Sequence, residues 1–190
     1  MDMDVTSYLK VYNNFLDSDQ CKQTVKELEE HSHQFQQHQY YTEQLGYHNL
    51  NGNKELDISY MNTSTRPYIM QRLWDAYNQY IVKDLDFPWY NAWVGFSSVR
   101  FNRYNTDSIM TNHCDHIHSL FDGQKKGVPC VSALAILNDD YTGGELVFWN
   151  DQVIKVKTGD MIMFPSNFLY PHKVNPVTSG TRYSCVSWCY

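Results

Sequence analysis

The residues of this chain that could do chemistry are centred on the tripeptide His113-Cys114-Asp115. Residues two apart on a β-strand project from the same face, so the His113 imidazole and the Asp115 carboxylate could bind one metal ion together. A second imidazole is available at His172, which follows Pro171 in a later predicted strand. Because packed sheets bring distant strands side by side, these three side chains are candidate ligands of a single ion.

Two imidazoles and one carboxylate form the facial triad of non-haem Fe(II) oxygenases, which leaves coordination positions open for oxygen chemistry. The His-x-Asp pattern alone has little specificity, because it occurs by chance in many proteins. Arg182 supports the interpretation of this pattern as part of a functional site, because an arginine in an otherwise apolar strand needs an anionic partner when it is buried. Arg182 therefore indicates either a structural salt bridge or a site for an anionic ligand. Ser184, on the same face of the strand, could support that anion.

Helices are the elements predicted up to about residue 88. Asp17-Ser18 is a typical helix start, and Val25 and Leu28 recur at helical spacing in a charged stretch that ends near residue 31. Residues 36–64 lack clear periodicity and are predicted to be a long connection, of the kind that often forms lids or binding loops.

A second predicted helix has Thr65 as its cap and Pro67 in its first turn. Its apolar residues form a stripe that we expect to pack against a partner surface. The stripe consists of Ile69, Leu73, Trp74, Tyr77, Tyr80 and Ile81.

From Trp93 onward the chain consists of short β-branched and aromatic runs separated by turn residues, which is typical of an antiparallel sandwich or barrel. The predicted strands are roughly 94–104, 113–118, 129–137, 144–149, 153–157, 161–165, 171–175 and 181–189. This number of strands fits a double-sheet jelly roll, also called a double-stranded β-helix. We therefore expect a mostly β, single-domain protein over residues 1–190. Residues 1–92 would provide N-terminal helices packed on one sheet and a lid region, and residues 93–190 the jelly-roll core.

Composition narrows the protein class. The chain has 190 residues, of which 42% are apolar and 19% charged, which excludes a disordered tail and a disulfide-stapled miniprotein. The five cysteines show no Cys-x-x-Cys spacing and are expected to be reduced. A net charge of −6 without a basic cluster disfavours nucleic acid as a partner. No apolar run approaches the length of a membrane span and no secretory signal is apparent, so we expect a cytoplasmic protein.

The second half of the chain also contains an ordered set of short motifs. They are Arg103-Tyr104, His113-x-Asp115, Gly143-Gly144-Glu145-Leu146, Gly159-Asp160, Phe164-Pro165, Pro171-His172-x-Val174 and Gly180-Thr181-Arg182-Tyr183-Ser184. In this order and spacing they resemble the 2-oxoglutarate/Fe(II) dioxygenase superfamily, and within it the prolyl 4-hydroxylase-like branch. One departure is the segment Asn105-Thr106-Asp107, which stands where that branch often has a glycine.

The resemblance implies a role for each matching residue. His113, Asp115 and His172 would bind Fe(II), Arg182 would pair with the far carboxylate of 2-oxoglutarate, and Tyr104 would donate its hydroxyl to the same cosubstrate. The implied reaction hydroxylates an aliphatic carbon with O2, in a prolyl residue of a peptide or protein, and releases succinate and CO2. Ascorbate is a possible reductant. An aspartate at position 115, rather than a small residue, favours hydroxylation over halogenation.

Two other functions are compatible with parts of this pattern. One is oxidative demethylation of nucleic-acid bases by an AlkB-like enzyme, which the negative charge and the absence of a further downstream arginine disfavour. The other is a binding module that retains the metal but has no turnover, which the complete triad together with Arg182 disfavours.

Several neighbouring residues are weaker candidates. His116 and His118, with Asp122, resemble a cupin metal set, but on a regular strand they would point away from His113 and Asp115. Trp188 could form a wall of the cosubstrate pocket, although core packing is the simpler interpretation. The candidate lid residues are Tyr40, Tyr41, Tyr47 and Tyr60.

Overall fold

The structure is a computed structural model that describes residues 4–42, 44–85, 95–115 and 129–190. Its helices are α1 (Ser18–Glu30) and α2 (Arg66–Tyr77), and α2 continues as a π-helix over Asn78–Asp84. Its strands are β1 (Lys10–Tyr12), β2 (Gln36–Gln37), β3 (Tyr40–Thr42), β4 (Gly46–His48), β5 (Asp57–Ser59), β6 (Arg100–Tyr104), β7 (Met110–His113), β8 (Val131–Ile136), β9 (Thr142–Gly143), β10 (Leu146–Phe148), β11 (Gln152–Ile154), β12 (Met161–Pro165), β13 (His172–Val174), β14 (Val177–Ser179) and β15 (Arg182–Cys189). Short 3-10 turns occupy Val5–Tyr8, Ser32–Gln34 and Gly52–Lys54.

Two antiparallel sheets form the framework of the protein. The larger sheet has the order β1-β12-β8-β15-β6-β5-β2, and the smaller one has the order β11-β10-β13-β7. Apolar side chains of both sheets form one buried cluster, in which Leu134 and Phe164 of the larger sheet meet Leu146 and Val174 of the smaller one. The site described below lies between these facing sheets.

The two helices cover the other face of the larger sheet. Leu28 of α1 and Leu73 of α2 share a second buried cluster with Phe101, Ala135 and Met163 of the sheet. This arrangement confirms the predicted mostly β protein with N-terminal helices packed on one sheet.

The start of α1 is also confirmed. The Asp17 carboxylate accepts hydrogen bonds from the backbone N–H groups of Asp19 and Gln20, which satisfies two amides that have no partner within the helix. Cys21 and Leu28 lie buried on the face that contacts the sheet.

The second helix has Thr65 as its N-cap residue and Pro67 in its first turn, as predicted. The Thr65 side chain makes no capping hydrogen bond, because its hydroxyl lies 2.6 Å from the Thr24 hydroxyl of α1 instead. One detail of the prediction is wrong. Trp74 is 44% exposed although Leu73 is fully buried. Each residue turns an α-helix by about 100°, so position 74 leaves the buried face that Leu73 occupies.

Two further predictions of secondary structure also need correction. Residues 36–64 are not a simple connection, because β2 and β5 extend the larger sheet beyond β6, and β3 and β4 form a hairpin. Strands of two or three residues are too short to show a periodic pattern. The strand predicted from residue 113 onward in fact ends at His113, where its partner β13 begins. Asp115 therefore follows the strand rather than lying within it.

None of the helices in the described ranges is both long and apolar enough to cross a bilayer.

The packing of α1 on the sheet predicts a clear stability difference between two substitutions. Leu28→Ala should lower the free energy of unfolding by about 2–4 kcal/mol, because it leaves a cavity in a fully buried contact. Lys26→Ala, on the exposed face of the same helix, should change it by less than about 0.5 kcal/mol. Urea denaturation followed by circular dichroism measures both values, and similar losses for the two variants would contradict this packing.

Candidate active site

A cavity opens to solvent between the two sheets, and its empty space together with its open mouth is about 430 Å³. Both sheets contribute to its walls. The larger sheet contributes Tyr104, Arg182 and Trp188, and the smaller sheet contributes His113 and His172. The polar groups predicted to do chemistry therefore converge on one space whose other walls are apolar except for Arg100 and Asn102, which is typical of a small-molecule site.

Three of these groups form a possible metal site. His113 at the end of β7 is the register partner of His172 at the start of β13. Asp115 follows two residues later, so that its Oδ1 lies 3.3 Å from His113 Nε2 and 3.7 Å from His172 Nε2. One potential ligand atom from each residue lies within 4.8 Å of the other two, which is close enough to bind one ion.

The two imidazoles are oriented by backbone carbonyls. His113 Nδ1 lies 2.8 Å from the Thr111 carbonyl oxygen, and His172 Nδ1 lies 3.0 Å from the Tyr170 carbonyl oxygen. A carbonyl oxygen only accepts hydrogen bonds, so both Nδ1 atoms carry the proton and donate it. In the neutral rings both Nε2 atoms therefore present a lone pair toward Asp115, as metal-binding histidines do.

The Asp115 carboxylate is fixed by groups on the larger sheet. Its Oδ2 accepts hydrogen bonds from Ser132 Oγ at 2.6 Å and from Trp188 Nε1 at 3.0 Å. Ser132 and Trp188 are register partners on β8 and β15, so the sheet delivers both donors to one point. These bonds leave Oδ1 directed at the imidazoles.

Burial and the neighbouring polar groups together determine the charges of His172 and Asp115. Burial lowers the pKa of His172 to about 4, with a further contribution from nearby His113, so His172 is neutral at pH 7. Burial alone would raise the pKa of Asp115, but the adjacent imidazoles and the Ser132 hydroxyl outweigh it and hold this pKa far below its usual range. Phe148 stacks on the His172 ring with the centroids 5.1 Å apart, which helps to keep water from it.

Arg182 occupies another part of the cavity and is only 1% exposed. Its Nη1 donates a hydrogen bond to Ser184 Oγ at 3.1 Å, whereas its buried Nε and Nη2 have no hydrogen-bond partner among the residues that the structure describes. Its guanidinium carbon lies 4.9 Å from the centre of the Tyr104 ring. No ion pair within the described ranges includes Arg182, so the alternative of a structural salt bridge finds no support among those residues.

Tyr104 and Ser184 have different positions relative to the cavity. Tyr104 lines it beside the guanidinium, whereas Ser184 is fully buried and contacts Arg182. Gly144 is also close, since a Cβ atom there would lie 3.1 Å from Arg182 Cδ. Its φ of +65° is another reason for glycine at this position.

Three residues of the site have roles that the sequence interpretation missed. Ser132 and Trp188 fix the carboxylate, and Arg100 lines the cavity from β6. A polar residue in the apolar strand β8 could have indicated Ser132. Arg100 could have been found by the reasoning applied to Arg182, because it lies on the same strand face as Tyr104.

Of the weaker candidates, Trp188 lies at this site, because it lines the cavity and donates a hydrogen bond to Asp115. His116, His118 and Asp122 lie outside the described residues, as does the side chain of Tyr41. The hydroxyl of Tyr40 donates a hydrogen bond to the sulfur of Met110, which lines the cavity. The other two predicted lid residues, Tyr47 and Tyr60, are 68% and 58% exposed.

The side chains of this site have the chemistry needed to bind Fe(II) and 2-oxoglutarate, the two groups that the motifs imply. Two imidazole nitrogens and one carboxylate oxygen are the ligand set of a non-haem Fe(II) centre. The unpartnered Nε and Nη2 of Arg182 form the planar fork that binds a carboxylate through two parallel hydrogen bonds.

Comparison with known proteins gives a consistent result. Residues 99–190 match the sequence profile of the 2OG-Fe(II) oxygenase superfamily. A PKHD-type hydroxylase of Delftia acidovorans is 37% identical over 97 residues, which are 48% of this chain and 42% of that protein. The PKHD-type hydroxylase PiuC of Pseudomonas aeruginosa is 34% identical over 94 residues, which are 46% of this chain and 41% of that protein. The matches thus span about two fifths of the length of these relatives.

Solved structures share the fold over nearly the whole chain. A prolyl-4-hydroxylase of Pseudomonas putida superimposes with a TM-score of 0.69 at 16% identity, covering 95% of this chain and 91% of that one. A Trichoplax adhaerens prolyl hydroxylase, in complex with a peptide fragment of the hypoxia inducible factor oxygen degradation domain, has a TM-score of 0.71 at 20% identity and covers 97% and 84%. The resemblance inferred from the motifs is confirmed. The segment from residue 99 to residue 190, which contains the candidate metal ligands and Arg182, belongs to the 2OG-Fe(II) oxygenase superfamily.

Proposed function

We propose that this protein is a 2-oxoglutarate- and Fe(II)-dependent dioxygenase that hydroxylates an aliphatic carbon, in a prolyl residue of a peptide or protein. The observation that carries the proposal is the pairing of two features in one cavity. A histidine, histidine, aspartate set lies at one position, and a buried guanidinium without an anionic partner in the described ranges lies at another. The two stacked sheets would be the jelly roll, or double-stranded β-helix, of a single domain. Residues 93–190 would be its catalytic core, and residues 1–92 its support and lid.

In this proposal the metal is bound through His113 Nε2, His172 Nε2 and Asp115 Oδ1. Fe(II), when bound there, supplies open coordination positions at which 2-oxoglutarate and O2 react. Each ligand residue is positioned in advance, because the hydrogen bonds to Thr111, Tyr170 and Ser132 leave only the metal-facing atoms available. Preorganisation of this kind reduces the rearrangement that binding requires.

Arg182 would bind the carboxylate of 2-oxoglutarate that is remote from the metal. Ser184 holds its Nη1, so that Nε and Nη2 face the cavity in a fixed orientation. Tyr104, beside the guanidinium, would donate its hydroxyl to the same carboxylate. We assign Ser184 as a positioning residue, because it acts on the cosubstrate through Arg182.

One molecule of O2 supplies the two oxygen atoms that the products gain in the overall reaction. One oxygen atom enters the substrate as a C–H bond is converted to C–OH, and the other enters succinate as 2-oxoglutarate loses CO2. The apolar walls around His172, including Phe148 and Phe164, would protect this chemistry from water. Ascorbate would serve as the reductant that restores ferrous iron. Support for a peptide substrate comes from the Trichoplax adhaerens structure, which contains a bound peptide fragment.

The role of Arg182 can be tested by anaerobic titration of the Fe(II)-loaded protein with 2-oxoglutarate, followed by the weak visible absorbance band of the complex. Loss of a buried charged partner costs about 2–5 kcal/mol, so Arg182→Gln should weaken 2-oxoglutarate binding by at least about 30-fold. Iron binding should change much less.

The matched control is Arg103→Gln, on the strand beside β15. The Arg103 side chain pairs with Asp57 at 2.8 Å and packs on Phe35, outside the cavity. This variant should bind 2-oxoglutarate like the wild type. Equal loss of iron and 2-oxoglutarate in Arg182→Gln would indicate misfolding, and absence of the band in the wild type would remove the cosubstrate from the proposal.

The metal ligands can be tested by 2-oxoglutarate consumption. Asp115→Ala should abolish metal-dependent decarboxylation, because it removes the one anionic ligand. Cys114→Ser, at the adjacent position, should retain it, and so should His118→Ala. Activity that survives in Asp115→Ala but is lost in His118→Ala would move the metal site to the other histidine pair.

The substrate class can be tested by mass spectrometry. We expect proline-rich peptides incubated with protein, Fe(II), 2-oxoglutarate and ascorbate to gain one oxygen atom, with matching release of succinate. Methylated oligonucleotides should cause no release of succinate above background. Stimulation by the oligonucleotides alone would favour the demethylase, and 2-oxoglutarate binding without any turnover would favour a binding module.

A further inference from the structure

A second arginine reaches the same cavity from the opposite end. Arg100 is the first residue of β6, lines the cavity and is 8% exposed. Its register partner on β15 is Val186, whereas the partner of Arg182 is Tyr104, four residues further along β6. At the rise of a β-strand this offset places the two arginine backbones about 13 Å apart.

Trp188 shows where Arg100 lies relative to the candidate metal ligands. The indole N–H of Trp188 donates to Asp115 Oδ2, and its ring lies 4.7 Å from the guanidinium carbon of Arg100. Arg100 and the candidate carboxylate ligand Asp115 therefore contact the same indole ring. If 2-oxoglutarate extends from Arg182 to the metal, the space beside Arg100 remains for the molecule that is oxidised.

The charge of Arg100 is not neutralised by a neighbour in the part of the chain that the structure describes. Its one hydrogen bond there runs from Nε to Asn102 Oδ1, at 3.1 Å, and it has no ion pair there. The buried carboxylate Glu55 accepts hydrogen bonds from Asn51 at Oε1, and its Oε2, which has no hydrogen-bond partner among the described residues, lies 3.8 Å from His38 Nδ1. No ion pair in the described ranges joins Glu55 to Arg100.

A cation that is removed from water without an anion is unfavourable, and contact with an aromatic ring offsets only part of that loss. A guanidinium at a cavity wall is suited to a carboxylate, which its planar fork can bind in two places. Because Arg100 and Asp115 contact the same indole and line the same cavity, a carboxylate bound by Arg100 would lie in the part of the cavity where the substrate is oxidised.

We propose that Arg100 binds a carboxylate of the substrate, so that the protein acts on molecules with an acidic group beside the hydroxylated carbon. This inference rests on the proposed dioxygenase function, and it narrows the substrate class. The carboxylate could belong to an aspartate or glutamate side chain next to the target residue, or to the terminal carboxylate of a target residue at the chain end. Arg100 would select among substrates, whereas Arg182 would bind the common cosubstrate.

Matched pairs of acidic and neutral peptides distinguish between these two origins of the substrate carboxylate. One pair of proline-containing peptides has glutamate or glutamine next to the proline. The other pair ends in proline with a free carboxylate or an amide. For each probe, binding to the Fe(II)/2-oxoglutarate complex is measured anaerobically by its effect on the visible band, and hydroxylation by mass spectrometry.

We expect the wild type to prefer the acidic member of one pair by at least about ten-fold in kcat/KM, and that pair identifies the source of the carboxylate. Arg100→Leu should remove this preference and Arg100→Lys should keep part of it. Arg103→Gln, whose altered side chain lies outside the cavity, should keep all of it.

Two results with the wild-type protein would overturn the proposal, provided that it binds 2-oxoglutarate. One is an equal kcat/KM for the acidic and the neutral member of each pair, and the other is the absence of binding to any acidic probe. The proposal is also overturned if Arg100→Leu retains the preference. The wild-type comparison needs no variant and therefore does not depend on how well Arg100→Leu folds. A wild type that binds no 2-oxoglutarate would instead contradict the dioxygenase function itself.

Discussion

The hydrogen bonds to one oxygen of Asp115 are the interaction on which the site depends. Ser132 and Trp188 occupy Oδ2, so that Oδ1 alone faces the Nε2 atoms of His113 and His172. Because these two donors are register partners on neighbouring strands, the alignment of β8 and β15 determines the direction of the carboxylate. A slip of one residue in either strand would turn that strand's donor to the opposite face of the sheet.

The cavity also combines apolar walls with two guanidinium groups that lack an anionic partner in the ranges the structure describes. Arg182 lies 1% exposed at one end and Arg100 lies 8% exposed at the other. Uncompensated buried cations destabilise a folded protein, so they indicate sites at which a ligand supplies the missing charge. Two such sites in the cavity that also contains the candidate metal ligands fit a reaction with one acidic cosubstrate and one acidic substrate.

Much of the fold and of the candidate site could be predicted from short patterns in the sequence. Asp17 identified the start of α1, and the motifs containing His113, His172 and Arg182 identified the side chains that the structure brings to one cavity. The residues that were missed depend on tertiary alignment. Nothing near Trp188 in the sequence shows that its indole meets Asp115, since the two residues lie 73 positions apart and meet only through the tertiary fold.

The most direct test of the central claim is a crystal structure of the protein prepared anaerobically with Fe(II) and 2-oxoglutarate. The account predicts a metal ion bonded to His113 Nε2, Asp115 Oδ1 and His172 Nε2, with the far carboxylate of 2-oxoglutarate on Nε and Nη2 of Arg182. A metal bound elsewhere, or an Arg182 guanidinium paired with a carboxylate of the protein itself, would contradict it.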